Sequence, residues 1–301
     1  MKSVSESSTR RATASLLAYL SCIRYTDVLV LQGSPLFGVA FAIREISLAG
    51  AATITVFGLA SVLLVANIWT FNDWANQAAD LNDPNRSDSV FSTKGVSARG
   101  LLAFSLGLLV SSLLLFGILP RRTLLIAVAI AALGVVYSHP ALSAKGLPIL
   151  SSGPHLLGGT LHFLLGYSLF EPIDRRGLLI ALFFGLTFTA GHLNQEVRDY
   201  GGDHHNGLRT NAVTFGKTAA FLAGAAIFTL AYADLVLLAS FRVVPRFLGI
   251  PPLLLYPAHL FWTVKTFRDG LSFETVSRFQ ARYRALFALI GLSMVAALFC
   301  R

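Results

Sequence analysis

Apolar residues along this chain come in long unbroken runs, and the polar residues are gathered between them. Nine such runs can be read: Tyr25–Ile43, Ala51–Trp69, Leu101–Leu119, Thr123–Tyr137, Leu150–Phe170, Leu178–Leu193, Ala219–Ser240, Phe247–Val264 and Ala285–Cys300. A helix needs roughly 17 to 25 apolar residues to cross the hydrocarbon core. The fourth and sixth runs are short by that ruler. None of the nine shows the ten-residue alternation of a membrane barrel. Backbone groups in lipid must be satisfied within the segment, so helices are the expected form. The pattern predicts an all-α, polytopic membrane protein with nine transmembrane helices.

Composition strengthens this picture. Residues of the AVILMFWYC set make up 54% of the 301 residues and charged residues only 13%, against roughly a quarter in soluble domains. A soluble fold of this size would lack surface charge. The net charge of +9 raises nucleic-acid binding, but the basic residues fall between apolar runs and form no stripe, which excludes it. Cys22 and Cys300 lie near opposite ends without metal-ligand spacing, so neither a disulfide framework nor a zinc site is expected.

Lys and Arg also set the orientation. Counting from the N-terminus, sixteen fall on one side of the nine runs and eight, Arg44, Arg121, Arg122, Arg175, Arg176, Arg242, Arg246 and Arg301, on the other. Cytoplasmic segments retain such residues, which puts residues 1–24 in the cytoplasm as an N-terminal arm and leaves 25–301 as one membrane domain. The membrane expected is the cell (inner) membrane, with the richer loops cytoplasmic.

The acidic residues carry more chemistry. Six of the fifteen lie in two short segments, one running from Asn72 to Arg86 after the second run and one from Asn194 to Thr210 after the sixth. If the helices continue through them, Asp73, Asn76 and Asp80 share one helix face, as do Asp199 and Asp203. Crowded carboxylates need a counter-cation, and an all-oxygen set suits magnesium held jointly with substrate phosphates. Arg86, Lys145, Arg198 and Arg209 stand near enough in sequence to donate charge-assisted hydrogen bonds to phosphate oxygens. Either cluster alone reads equally well as a solvated helix end. Two of them, each opened by an asparagine and directed to the same side, favour a site for one diphosphate.

The segment Asn72 to Arg86 resembles the NDxxDxxxD motif of the UbiA superfamily of intramembrane prenyltransferases, including its Asn-x-Pro-x-Arg continuation. Asp199, Asp203, Gly207, Arg209, Thr210 and Phe215-Gly216 resemble the second motif of that family, and Tyr137-Ser138-His139-Pro140 with Lys145 its tyrosine-plus-lysine loop. The nine-helix count matches as well. The resemblance implies nine helices around a central cavity open to the membrane. Its implied activity is transfer of an isoprenoid from an allylic prenyl diphosphate to a lipophilic, often aromatic, acceptor. It further implies that Asn72, Asp73, Asp80, Asp199 and Asp203 hold two Mg2+ ions against the diphosphate, that Arg86, Lys145 and Arg209 neutralise its oxygens, and that Asn194 adds a polar contact.

Three departures stand out: Asn76 where the motif has its middle Asp, Arg86-Ser87-Asp88-Ser89-Val90-Phe91 where Arg-Pro-x-x-Ser-Gly is frequent, and Gln195 where some members carry a further Asp. Asn76 still offers an oxygen but no charge, which should weaken the first metal position. Together the departures disfavour a benzoate-prenylating ubiquinone enzyme. They also keep a second class open, a terpene cyclase of this family that captures the allylic cation without an acceptor. A transporter using intramembrane acids is the third reading. His155 and His162, seven apart on the fifth run, read either as a base or polar contact for the acceptor or as interhelical hydrogen-bond partners.

Overall fold

The structure, a computed structural model, describes residues 16–45, 47–142 and 144–296. Most of the N-terminal arm and Cys300 lie outside these residues. Among the described residues every regular element is helical. The helices are α1 Tyr25–Leu31, α2 Gly33–Ala42, α3 Leu48–Ala75, α4 Gln77–Leu81, α5 Ala98–Gly117, α6 Arg121–Ser138, α7 Gly153–Tyr167, α8 Arg175–Arg198, α9 Tyr200–His205, α10 Asn211–Phe215, α11 Lys217–Ser240, α12 Ile250–Arg268 and α13 Phe273–Ala296.

Within the described residues each of the nine apolar runs falls mainly on helix. Among the described residues six segments, Leu48–Ala75, Ala98–Gly117, Arg121–Ser138, Arg175–Arg198, Lys217–Ser240 and Arg246–Arg268, are long and apolar enough to cross a bilayer by themselves. The chain is a multi-pass membrane protein, and six of the nine expected spans meet this measure. The first run divides at Gln32 because Pro35, without an N–H, fits the opening turn of a new helix and not the interior of a continuing one. The fifth begins late. Ile149 takes a positive φ of 65°, a 3-10 turn follows at Leu150–Ser152, and Pro154 then occupies the opening turn of α7.

The bundle closes around α7 and α8. α7 packs against α2, α6 and α8, and α8 against α7, α11 and α13, while α3 lies along α5 and α6. With lipid outside, close backbone approach drives such packing. A Cβ on Gly166 of α7 would sit 1.8 Å from the Pro35 carbonyl oxygen of α2, so nothing larger than glycine fits there. Phe57, Phe116, Phe163, Leu64 and Leu235 are fully buried in the resulting core. Both acidic segments emerge at one end of this bundle, at the carboxyl ends of α3 and α8.

Candidate active site

The two acidic segments are built alike. α3 runs 28 residues and stops at Asn76, whose backbone leaves helical geometry (φ −99°, ψ 10°), before α4 resumes and carries Asp80. α8 stops at Asp199 (φ −88°, ψ 6°), before α9 resumes and carries Asp203. The expected uninterrupted helix faces are therefore replaced by a long helix, one non-helical polar residue and a short helix. The i→i−4 backbone bonds nonetheless cross both breaks, Asp80 N to Asn76 O at 2.9 Å and Asp203 N to Asp199 O at 3.0 Å. Asn76 spends its amide on the helix end, since Nδ2 donates to the Asn72 carbonyl at 2.8 Å. Asn72 in turn donates from Nδ2 to Ser138 Oγ at 3.0 Å, which ties α3 to the end of α6.

Arg86 joins the two halves. Its guanidinium pairs with Asp199 and reaches Asp80 at 3.5 Å and Asp83 at 3.7 Å. Burial works against its charge, but Asp199, Asp80 and Asp83 outweigh that and hold it above its ordinary pKa. Lys145 stands 3.4 Å from Asp203, and Arg198 donates to Asp199 at 2.7 Å and to Gln280 Oε1 at 2.8 Å. Burial pushes Asp203 above the usual carboxylate range despite Lys145. Burial opposes ionisation of Asp199 as well, yet Arg198 and Arg86 prevail and hold it below that range. The halves also meet directly. Asn206 Nδ2 donates to the Ala79 carbonyl at 3.1 Å, and a Cβ on Gly202 would lie 2.3 Å from the carboxylate of buried Asp83.

Of the residues singled out by sequence, the structure thus brings Asp80, Arg86, Lys145, Arg198, Asp199 and Asp203 together. Asp73 is paired with Arg24, whose guanidinium also lies over Trp69 at 5.0 Å. Asn194 is buried, with Nδ2 donating to the Ala190 carbonyl at 2.9 Å and Oδ1 left without a partner. Arg209 is exposed, and its side chain makes no polar contact with another described residue.

Sequence reasoning missed three residues. Arg24 closes the expected N-terminal arm, yet its charge sits on the first motif. Asp83, the second residue of the Asn-x-Pro-x-Arg continuation, packs the two halves together. Glu196 lies one turn before Asp199 and anchors a buried network: its carboxylate accepts from Asn211 Nδ2 at 3.2 Å, Ser151 Oγ at 3.3 Å and the Ala212 N–H at 3.3 Å. His192 Nε2 stands 3.0 Å from it. The His192 ring stacks on His155 at 3.7 Å between centroids, and Tyr137 meets His155 edge-on at 4.8 Å. The histidine that faces His155 is this one. His162 instead bonds its own helix at Gly158 O.

Among the described residues no three carboxylate, histidine or cysteine side chains are gathered as a ready-made ion site. Arg24, Arg86, Arg198 and Lys145 hold the motif carboxylates apart as ion pairs. The donor set still fits magnesium, which usually takes one or two carboxylates and completes its shell with substrate phosphate oxygens and water. Hard oxygens on two opposed helix ends, with cations already between them, are a site that a metal–diphosphate complex would complete.

The family model of the UbiA prenyltransferase family matches residues 28–299. The chain belongs to this family. It is a membrane-bound prenyltransferase, and this replaces the transporter reading. A digeranylgeranylglyceryl phosphate synthase of Haloquadratum walsbyi (strain DSM 16790 / HBSQ001) is 28% identical over 227 residues, covering 74% of this chain and 72% of the relative. The fold is that of a UbiA homologue from Archaeoglobus fulgidus solved with GPP and Mg2+ (TM-score 0.73, 20% identity, 93% of this chain and 99% of the other). It is also that of a digeranylgeranylglyceryl phosphate synthase (TM-score 0.70, 16% identity, 95% and 99%).

Proposed function

We propose that this UbiA-family enzyme transfers an isoprenoid from an allylic prenyl diphosphate to a lipophilic acceptor within the membrane, with Mg2+ as cofactor. The observation that carries the reading is the convergence of Asp80, Asp199 and Asp203 with Arg86, Arg198 and Lys145 where α3 and α8 end. The presence of GPP and Mg2+ in the Archaeoglobus fulgidus homologue supports it. Asp73, Asp80, Asp199 and Asp203 would hold the metal, which when bound stabilises charge on the departing oxygen. Arg86, Arg198 and Lys145 hydrogen-bond the diphosphate oxygens, and Asn72 and Asn194 position the helix ends around them. The assignment of Arg209 to the diphosphate rests on its motif position. Donors set in place before the bond breaks are worth more in this partly buried setting than in water.

The acceptor is first read as aromatic. The relative's name favours a second reading, a lipid glyceryl phosphate whose hydroxyl is alkylated. The site opens to the side that carries more Lys and Arg, which we assign to the cytoplasm, in the cell membrane. Incubating membranes that contain the protein with geranyl, farnesyl and geranylgeranyl diphosphates tests this, using phenolic, quinolone, naphthoate and prenylglyceryl phosphate acceptors and product mass as the readout. Adducts that require both Mg2+ and an acceptor support the proposal. A cyclised hydrocarbon formed without acceptor would overturn it in favour of a cyclase, and absence of any diphosphate release would reject the site.

A further inference from the structure

The end of the bundle opposite the acidic motifs holds a second charged feature. α8 is 24 residues long, which places Arg175 about 35 Å from Arg198 at a rise of about 1.5 Å per residue. There an open surface cavity of about 720 Å³ is lined by Arg175 and Arg176 at the start of α8 and by Arg242 and Arg246 beyond the end of α11. Only eight of the 24 Lys and Arg residues are expected on this side of the membrane, and the fold brings four of them to one concavity.

Among the described residues no carboxylate pairs with any of the four, although the Arg176 guanidinium lies over the Phe41 ring at 6.0 Å. Arg176 donates from Nε to the Val243 carbonyl at 3.1 Å and so fixes one wall to the other. Among the described residues the side chains of Arg175, Arg242 and Arg246 make no ion pair. Nearby acids are occupied or distant: Glu171 pairs with Arg44 at 2.6 Å, Asp174 accepts from Gly177 N at 2.7 Å and Tyr167 OH at 3.1 Å, and Asp234 lies about two turns down α11. Neither Glu171, Asp174, Asp234 nor Glu45 lines the cavity. Four cationic residues therefore line one concavity with no carboxylate among its lining residues, a charge balance that suits an anion.

The backbone is the second observation. α11 closes with Arg242 N to Ala239 O at 3.2 Å and Val243 N to Leu238 O at 2.9 Å, and Arg242 takes the left-handed φ of 58°. Glycine serves that closing position without strain. An arginine there keeps a cation at the cavity mouth in a conformation that L side chains resist.

We propose that this cavity binds the phosphate headgroup of an anionic phospholipid. Guanidinium groups match phosphate oxygens geometrically. A lipid, as opposed to free phosphate, is indicated by the cavity's surroundings: Phe241, 77% exposed, precedes Arg242 in the chain, and Leu178, Leu182 and Leu237 of α8 and α11 are also exposed. Acyl chains can lie along these side chains while the headgroup enters between the arginines.

The test uses the full chain in detergent, titrated with phosphatidylglycerol or with phosphatidylcholine of the same acyl chains, and reads displacement of a fluorescent phosphatidylglycerol. Each surface arginine contributes about fivefold toward an anionic lipid, so the three unpaired ones give a preference on the order of a hundredfold over phosphatidylcholine. Arg175→Gln/Arg242→Gly/Arg246→Gln should abolish that preference, whereas Arg121→Gln, an exposed charge on the same side but outside the cavity, should change it no more than about twofold. Single Arg175→Gln and Arg246→Gln variants, each expected to lose about fivefold, keep the test valid if the triple variant does not fold. Prenyl transfer in detergent should stay at the parent level in all of them, which separates this site from the diphosphate site. Equal binding of the two lipids, full preference in the triple variant, an equal loss on Arg121→Gln, or equal displacement by millimolar inorganic phosphate would each overturn the proposal.

Discussion

Asn76→Asp restores the carboxylate that the family motif places at this position, and motif and structure give it opposite outcomes. By the motif alone, a third charge should tighten magnesium binding. In the structure Asn76 ends α3, and its amide N–H donates to the Asn72 carbonyl at 2.8 Å, which a carboxylate cannot do. Losing this bond costs about 1 kcal/mol. A negative charge at the carbonyl end of a 28-residue helix adds about 0.3–1 kcal/mol, and repulsion from Asp73 and Asp80, three and four residues away, a few tenths more. The sum is about 2 kcal/mol, or roughly a 30-fold shift in the equilibrium that keeps the motif in place. Asn76→Ala, which loses the bond without gaining charge, should cost about half as much. The assay is thermal unfolding of the three purified proteins together with diphosphate release as a function of magnesium concentration. We expect the midpoint order parent, Ala, Asp, with lower release by Asn76→Asp at every magnesium concentration. An Asn76→Asp protein as stable as the parent and half-saturated at lower magnesium would refute the capping argument.

Three further outcomes follow from the site. Lys145→Met removes the cation 3.4 Å from Asp203 and should raise the apparent KM for the prenyl diphosphate about tenfold with the acceptor KM little changed, in steady-state kinetics on each substrate. Gly202→Ala places a Cβ 2.3 Å from the Asp83 carboxylate; forcing the two motif segments apart should cost about 1–3 kcal/mol, read as a lower unfolding midpoint with reduced turnover. Glu196→Leu strands the donors of Asn211 and Ala212 and should destabilise by about 2–4 kcal/mol, whereas Glu196→Gln, which keeps an accepting oxygen, should lose less than half of that in the same unfolding measurement.

The helices were legible because lipid leaves the backbone few alternatives, so each unbroken apolar run had to be helix. The two motif ends were legible because carboxylates are scarce in such a chain. The breaks at Asn76 and Asp199 were not, since the backbone bonds on either side keep their four-residue spacing and periodicity alone reads through a single non-helical residue. Glu196 was hidden for another reason: its partners Ser151 and Asn211 come from distant turns, and only the packing of α8 against both reveals that its charge is spent on structure. Arg24 and Asp83 likewise acquire their places from contacts made 49 and 119 residues away, with Asp73 and Gly202.

The central claim is that the carboxylates on the two helix ends act together, through magnesium, on one diphosphate. Binding of an uncleavable prenyl thiolodiphosphate to the purified protein, measured with magnesium and with excess chelator, tests it most directly. The account predicts tight binding only with magnesium, and a loss of about a hundredfold or more in both Asp80→Asn and Asp199→Asn, comparable to removing one strong electrostatic stabiliser. Undiminished binding in chelator, or in both variants, would contradict it.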